Sequence, residues 1–211
     1  TMAMGNVYAP LIAQLVHETL LLRSFQQVLS FRPSAAPWFP ALKCQAKDGM
    51  VPLSAVPLPV FKAFCSALKL DPAEVFGVAD PDMLVPVDAF SVLQADGSEP
   101  GSEPPMRLRG VDLREGDSRL AIASASVSDA VFGFIIYIDD QHSIFFGDSP
   151  RLGAFANARL LATTFIYACA GLSSHPRKRV WASASPSPTL GFVIDLSSPV
   201  TEVGVAPAKL A

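Results

Sequence analysis

One apolar run limits the folds open to this 211-residue chain more than any other segment. Residues 131–138 read Val-Phe-Gly-Phe-Ile-Ile-Tyr-Ile, without a charged side chain. A strand that is buried on both faces has this continuous composition, whereas a strand with one solvated face alternates. Asp139, Asp140 and Gln141 interrupt the run, and a second, mainly apolar segment follows over 143–146. The sequence therefore predicts a β-hairpin with two aspartates at its turn.

Further elements are predicted on both sides of this hairpin. Residues 10–29 place apolar side chains at helical spacing, with Pro10 in the first turn, where a missing backbone donor costs nothing. Residues 149–171 form a second predicted helix, which begins with an N-cap and a proline and ends at a C-cap glycine. A strand over 190–195 and a second segment over 203–205 predict another hairpin.

The middle of the chain differs in composition from both ends. Residues 31–118 hold 12 of the 19 prolines, which interrupt helices and strands. We expect one short helix over 59–70, and an exposed flexible loop over 97–105, which is rich in Gly, Ser, Glu and Pro. The sequence thus predicts a loop-dominated insertion over 31–118. It separates two parts of one domain, 1–30 and 119–211, and the second part opens with a modest strand over 119–127.

Charge and composition narrow the functional classes. The net charge is −3 and the pI is about 5.5, whereas nucleic-acid binders usually carry a basic surplus. The three cysteines and three histidines are scattered, which favours neither a disulfide framework nor a zinc site. No run of ~18 apolar residues is present, so we expect no membrane association. The expected location is intracellular, in the cytoplasm or the nucleus.

The pair Asp139-Asp140 is the strongest chemical feature of the sequence. Two carboxylates on a rigid hairpin suit Mg²⁺ or Mn²⁺, because these cations prefer oxygen ligands together with phosphate oxygens. Ions held in this way can stabilise the attacking and leaving oxygens in phosphoryl transfer. Aspartate is also an ordinary turn residue, since its side chain caps local backbone groups. The pair alone is therefore also compatible with a purely structural role at a turn.

Four motifs, in order, resemble those of reverse transcriptases. Residues 3–14 resemble the family's Gly/Pro segment and the helix behind it, and residues 137–140 resemble its Tyr-x-Asp-Asp hairpin. Residues 175–181, His-Pro-Arg-Lys-Arg-Val-Trp, resemble its Asn-Pro-x-Lys-x-x-Trp stretch. Residues 190–195, Leu-Gly-Phe-Val-Ile-Asp, resemble the strand that follows. The likeness is closest to retrotransposons of the tyrosine-recombinase type and to pararetroviruses.

The resemblance implies a role for each matched position. The metal-binding and catalytic pair is Asp139 and Asp140. The positions implied for nucleotide or template binding are Gly5, Gln14, Tyr137 and Lys178. The positions implied to contact the primer are Leu190, Gly191 and Phe192. A solvated basic face remains an alternative for Lys178, and an ordinary strand or turn glycine remains one for Gly191.

The resemblance also implies a fold and a set of partners. The fold is α+β: a partial polymerase palm, with a small antiparallel sheet, helices packed on one of its faces, and the Pro-rich insertion. The implied partners are an RNA or DNA template-primer and deoxynucleotide triphosphates. The family carries a further metal-binding aspartate on a strand ahead of the Gly/Pro segment, and no aspartate precedes Asp48 here. We expect that strand to lie before Thr1, and this polypeptide alone to be inactive.

Two alternatives remain open at this stage. The acidic net charge and the missing aspartate fit a decayed or domesticated palm that binds without catalysis. The Pro-rich middle, which has no counterpart in the family, fits an unrelated α+β domain in which Asp139-Asp140 is a turn.

Overall fold

The structure is a computed structural model, and it describes eleven segments of the chain. These are residues 8–25, 45–67, 69–91, 107–112, 129–137, 140–146, 152–172, 179–182, 187–189, 192–195 and 202–205. The helices in these segments are α1 (Ala9–Phe25), α2 (Leu58–Ala67), α3 (Pro72–Val78) and α4 (Leu152–Cys169). Two 3-10 helices lie at Leu53–Ala55 and Val87–Ser91. The predicted combination of helices and strands is confirmed.

The strands of the described segments form three small sheets. The strands are β1 (Met50–Pro52), β2 (Leu84–Pro86), β3 (Arg107–Asp112), β4 (Asp129–Tyr137), β5 (Asp140–Phe146), β6 (Ser187–Thr189), β7 (Phe192–Asp195) and β8 (Glu202–Val205). The strand orders are β1-β2, β3-β4-β5 and β6-β7-β8. All neighbouring pairs are antiparallel except β3 and β4, which are parallel.

The central hairpin is the element that the sequence predicted best. β5 pairs antiparallel with β4 over its whole length, from Val131 opposite Phe146 to Tyr137 opposite Asp140. Only Ile138 and Asp139 connect the two strands. The apolar run thus forms one arm of the hairpin, and the interruption in it marks the end of that arm.

The sheet around this hairpin differs from the antiparallel sheet that we predicted. β3 runs parallel to β4, with Arg107 opposite Asp129 and Asp112 opposite Phe134, so the sheet is mixed. The sequence did not indicate β3, because it contains a glycine and three charged residues in six positions. The strand predicted over 119–127 and the loop predicted over 97–105 lie outside the described residues.

Residues 45–91 contain more helix and strand than the loop-dominated prediction allowed, although α2 confirms the short helix predicted over 59–70. They contain α2, α3, the β1–β2 ribbon and both 3-10 helices. The prolines mark element boundaries: Pro52 precedes a 3-10 helix, and Pro72 begins α3 after the N-cap Asp71. Proline is compatible with a first helical turn, so frequent prolines here produce short elements rather than loops.

The hydrophobic core joins this segment to α4. The largest fully buried side chains are Phe64, Phe90, Phe155, Phe165, Leu21, Leu161, Val51 and Val75. The Phe165 ring of α4 lies 5.8 Å from that of Phe61 and 6.0 Å from that of Phe64, both on α2. Phe64 also packs against Phe90, at 5.3 Å between centroids. The predicted insertion therefore supplies much of the core.

Two helices end in the same hydrogen-bonded motif. At the end of α4, the amide of Gly171 donates to the Ala168 carbonyl and the amide of Leu172 donates to that of Tyr167, both at 2.9 Å. This is a Schellman motif, and it requires a positive φ at the residue that Gly171 occupies with φ +73°. The predicted C-cap is confirmed. At the end of α2, Lys69 takes the equivalent position with φ 54°.

Helix α1 is described over Ala9–Phe25 and is less strictly amphipathic than predicted, and residues 26–29 of the predicted helix lie outside the described residues. Leu20 and Leu21 are buried, but Leu11 and Leu15 remain 56% and 53% exposed. Helix α1 lies beside α4, and the His17 ring is 5.2 Å from that of Tyr167. One side of α1 thus contributes to the core, and its apolar residues continue onto an exposed side.

The chain divides into two compact units, Thr1–Val180 and Trp181–Ala211. The second unit contains the β6-β7-β8 sheet, in which Phe192 lies opposite Val205 and Asp195 opposite Glu202. The predicted hairpin between 190–195 and 203–205 is confirmed by this pairing. β6, in a Ser/Pro-rich stretch, was not predicted.

Helix α4 is long and apolar enough to cross a membrane by length and composition alone, the one such helix in the described part of the chain. More than half of it is buried inside the protein. The core helix of a globular domain meets the same criteria, so this observation is weak support for a membrane span.

Candidate metal site at the hairpin turn

The backbone places part of the acidic pair at a defined point. Asp140 begins β5 and lies opposite Tyr137, the last residue of β4. Asp139 belongs to the two-residue connection and lies outside the described residues. A two-residue connection between paired strands is the shortest common hairpin loop, and its geometry is tightly restricted. Asp140 therefore has a defined position at one end of the sheet.

Two helices lie beside the strands of this hairpin. Helix α1 is in contact with β4, and α4 is in contact with β5. We predicted that the hairpin would pack against these two helices, and both contacts are present. Each arm of the hairpin is thus in contact with a different helix.

Gln14 lies in the middle of α1, as predicted. Its Nε2 donates a hydrogen bond to Oε1 of Glu18, at 2.8 Å, one helical turn further along. The side chain is partly buried. The Gln14 amide is thus oriented by a carboxylate of the same helix.

Several of the predicted site residues fall outside the described part of the chain. These are Gly5, Asp139, Lys178, Leu190 and Gly191. Their proposed roles stay predictions. Phe192 begins β7 in the second compact unit, opposite Thr189 and Val205. Of the predicted residues, the structure brings together Tyr137 and Asp140.

A further acidic residue lies toward the same end of the mixed sheet. Because β3 is parallel to β4, its last residue, Asp112, follows the direction of β4 toward the hairpin turn, in register with Phe134. The register stops three residues short of Tyr137. Among the described residues, no group of three or more His, Cys, Asp and Glu side chains is arranged to hold a metal ion.

Of the basic residues 177–179, Arg179 is the one among the described residues. Burial lowers the pKa of the Arg179 guanidinium, and the negative charge of Asp80 raises it in part. Asp80 lies in the turn between α3 and β2, where its carboxylate accepts a hydrogen bond from the Asp82 amide at 3.0 Å. The end of the basic stretch thus lies close to residues 45–91 and is half-buried rather than fully solvated.

Polar residues buried along α4 were not found by sequence reasoning. Asn157 donates from Nδ2 to both carboxylate oxygens of Asp88, at 3.1 and 3.2 Å. Arg159 is 3% exposed, and burial lowers its pKa to about 9. Both residues are polar positions within the apolar pattern of the predicted helix. This was the feature of the sequence that could have identified them. Asn157 connects α4 to the second 3-10 helix, and Arg159 is enclosed within the core.

No protein-family model, curated protein or solved structure matches this chain.

Proposed function

We propose that this chain is a segment of a reverse-transcriptase palm, and that Asp139 and Asp140 are its metal-binding pair. The observation that carries the proposal is the register of the β4–β5 hairpin. With Tyr137 opposite Asp140, the Tyr-Ile-Asp-Asp motif spans the end of one strand, the connection and the start of the next. That arrangement suits a motif whose task is to hold cations at a fixed point on a sheet.

The order of the surrounding elements supports the same proposal. Helix α1, which follows the Gly/Pro segment, precedes the hairpin in the chain and lies beside β4. Helix α4 follows the hairpin and lies beside β5. An α+β palm with its helices on the hairpin is the finer fold that we propose. In this proposed palm, the parallel strand β3 and the folded residues 45–91 are elements that the resemblance does not imply.

The donor set fits the proposed metal. Adjacent carboxylates offer hard oxygen ligands, which suit Mg²⁺ or Mn²⁺ better than zinc or copper. When bound, such ions neutralise charge that develops on phosphate oxygens during nucleotidyl transfer. Gln14 and Tyr137 are proposed to contact the nucleotide or template, together with Gly5 and Lys178. Residues 190–192 are proposed to contact the primer.

We expect the 211-residue polypeptide not to extend a primer. Nucleotidyl transfer by the implied mechanism needs a further aspartate ahead of residue 5, and no aspartate precedes Asp48. The test is primer extension with Mg²⁺ or Mn²⁺ on RNA and DNA templates. Incorporation of deoxynucleotides by this polypeptide would show that the expectation is wrong.

Cation binding tests the proposed site without requiring catalysis. We expect calorimetric titration with Mn²⁺ to detect binding, and Asp139→Asn and Asp140→Asn each to weaken it by about tenfold or more, because each removes a charged oxygen ligand. The matched control is Asp112→Asn, which removes a carboxylate from the neighbouring strand. The Mn²⁺ affinity of Asp112→Asn should stay within about twofold of that of the parent protein. Equal loss in all three variants would indicate nonspecific charge effects.

Two other outcomes favour the alternatives. The net charge of −3 is the observation that supports a non-catalytic module. Absence of Mn²⁺ binding by a folded parent protein would favour that module, or an unrelated α+β domain in which the aspartates are turn residues. Unfolding measured by circular dichroism establishes that each variant is folded before its cation binding is compared.

A further inference from the structure

The apolar residues of α1 lie mainly on the side of the helix that faces solvent. Leu11, Ile12, Leu15 and Val16 are each 39–56% exposed, and Tyr8, just ahead of the helix, is also exposed. Within residues 8–21, the part of this segment whose side chains the structure describes, no charged residue is exposed. A helix of a globular domain normally turns its apolar stripe toward the core. The exposed side of α1 therefore has the composition of a contact surface.

The opposite side of α1 attaches the helix to the rest of the fold. Leu20 and Leu21 are buried, and the His17 ring lies 5.2 Å from the Tyr167 ring of α4. At 3.6 residues per turn, the exposed residues occupy a stripe of about 140° on the side of the helix away from these contacts. We call this surface the α1 stripe; its members are Tyr8, Leu11, Ile12, Leu15, Val16 and Thr19.

The spacing of the α1 stripe matches that of helices that pack in pairs. In such pairs, a side chain of one helix enters a hole formed by four residues of the other, at positions i, i+3, i+4 and i+7. These positions are held by Ile12, Leu15, Val16 and Thr19, which together with Leu20 line an open groove of about 270 Å³. The set that begins one turn earlier, at Tyr8, repeats the spacing. The stripe can thus both receive side chains and supply them.

The α1 stripe suits a second copy of the same surface. A twofold interface brings one patch against itself, so charges within the patch would meet like charges. The stripe consists of five aromatic or aliphatic residues and Thr19, whose hydroxyl donates to the Leu15 carbonyl at 2.7 Å and needs no acceptor across an interface. Its exposed area is on the order of 500 Å² per copy, so two copies would bury on the order of 1,000 Å², the lower limit for a specific interface.

We propose that the α1 stripe pairs, antiparallel, with the α1 stripe of a second copy of this chain, about a twofold axis that passes between Ile12 and Leu15. This inference goes beyond the proposed polymerase origin and does not depend on it. Gln14, the residue of α1 that is proposed to contact nucleotide or template, is partly buried and lies outside the stripe.

The antiparallel direction follows from charge. Glu18 is the one charged residue within 8–21, and it lies at the edge of the stripe. With Ile12 opposite Leu15 of the second copy, Leu11 lies opposite Val16, and Glu18 lies opposite an alanine. In parallel pairing, each residue would lie opposite its own copy, so the two Glu18 carboxylates would approach each other. The helix dipoles would also point the same way, whereas antiparallel dipoles attract.

Sedimentation equilibrium of the full 211-residue chain tests the pairing. We expect the average mass to rise from 22.4 kDa toward twice this value between about 1 µM and about 500 µM, since an interface of this area is weak. Leu15→Lys should weaken association by about tenfold or more, because it places a charge in the apolar contact. The matched control is Leu58→Lys on α2, since Leu58 and Leu15 are 54% and 53% exposed. A monomeric parent protein, or equal effects of the two substitutions, would overturn the proposal.

Three double variants at Leu11 and Val16 test the antiparallel register. Leu11→Glu with Val16→Lys places opposite charges across the interface, whereas Glu at both positions, or Lys at both, places like charges there. The mixed variant should associate at least about tenfold more tightly than either like-charged variant, whatever the sign of the added charge. Circular dichroism checks that all three are folded. Equal association of the three would overturn the proposal, because in parallel pairing the mixed variant also sets like charges against each other.

Discussion

The ring of Phe165 in α4 lies edge-on to the ring of Phe64 in α2, with centroids 6.0 Å apart and 86° between their planes. Both side chains are fully buried. This contact joins the helix behind the hairpin to residues 45–91. We expect Phe165→Ala to lower the free energy of unfolding by about 3–5 kcal/mol, because it removes buried area and leaves a cavity. Urea unfolding followed by circular dichroism measures the change.

The matched control for this change is Phe76→Ala on α3. Phe76 is 62% exposed and has one edge contact, with Phe61 at 6.0 Å between centroids. Phe76→Ala should lower the free energy of unfolding by about 1 kcal/mol or less. Equal effects of the two substitutions would contradict the position of Phe165 at the centre of the core.

The glycines at the end and the start of α4 should respond in opposite directions to alanine. Gly171 has φ +73°, where a side chain is strained, so Gly171→Ala should destabilise the protein by about 1 kcal/mol. Gly153 lies in the first turn of α4, and a Cβ added there would meet no atom within 4 Å. Gly153→Ala should raise stability by about 0.5–1 kcal/mol, since alanine favours the helix. Thermal melts of the two variants give the comparison, and a stabilising Gly171→Ala would contradict the C-cap.

The hydrogen bonds between Asn157 and Asp88 predict coupling between α4 and the second 3-10 helix. In a double-mutant cycle with Asn157→Ala and Asp88→Ala, we expect a coupling free energy of about 1.5–3 kcal/mol, because the acceptor is a carboxylate. Urea unfolding of the four proteins supplies the cycle. Asn157→Asp is a sharper single test: at neutral pH it places a second carboxylate against Asp88, and it should destabilise more than Asn157→Ala. Purely additive effects would argue against the bond.

The buried thiol of Cys65 predicts a loss of stability at alkaline pH. Its pKa rises from 9.0 to about 12, through burial first, then the negative charge of Cys169, then that of Asp71. The stabilising contribution is complete below pH 9 and is lost as the pH rises toward 12, because over that window the unfolded chain releases a proton that the folded chain keeps. The slope from this group is at most about 1.4 kcal/mol per pH unit.

Comparison with Cys65→Ala isolates this effect. The variant should lose less stability than the parent protein between about pH 8 and about pH 10.5 under reducing conditions. Tyr167, whose pKa burial raises to about 12, contributes equally to both proteins. Urea midpoints at the two pH values provide the measurement. Parallel decline of both proteins would show that Cys65 does not ionise in this window.

Local sequence patterns predicted some elements, and distant partners determined the others. The hairpin of β4 and β5 and the helices α1 and α4 followed from runs of apolar residues and from end signals such as Gly171. β3 depends on its parallel partner β4, across a connection of residues 113–128, so its own composition carried little signal. Residues 45–91 were misjudged because proline frequency does not distinguish a loop from a chain of short elements.

Of the candidate site, the sequence predicted only the part that lies at the hairpin turn. The positions of Tyr137 and Asp140 follow from the interruption of one apolar run. The burial of Asn157 and Arg159 depends on which face of α4 meets residues 45–91, and helical spacing alone did not reveal that the core surrounds most of this helix.

Substitutions of Asp139, which lies in the two-residue connection between β4 and β5, can distinguish a structural role of this residue from a functional one. Such short connections favour backbone with positive φ, which glycine and asparagine adopt more easily than aspartate or isoleucine. We therefore expect Asp139→Gly to leave stability unchanged or to raise it by up to about 1 kcal/mol, and to weaken Mn²⁺ binding because a carboxylate is lost. Asp139→Asn should keep stability and lose the binding. Urea unfolding and calorimetry on the same samples distinguish the roles: a less stable Asp139→Gly with unchanged Mn²⁺ affinity would identify Asp139 as a turn residue only.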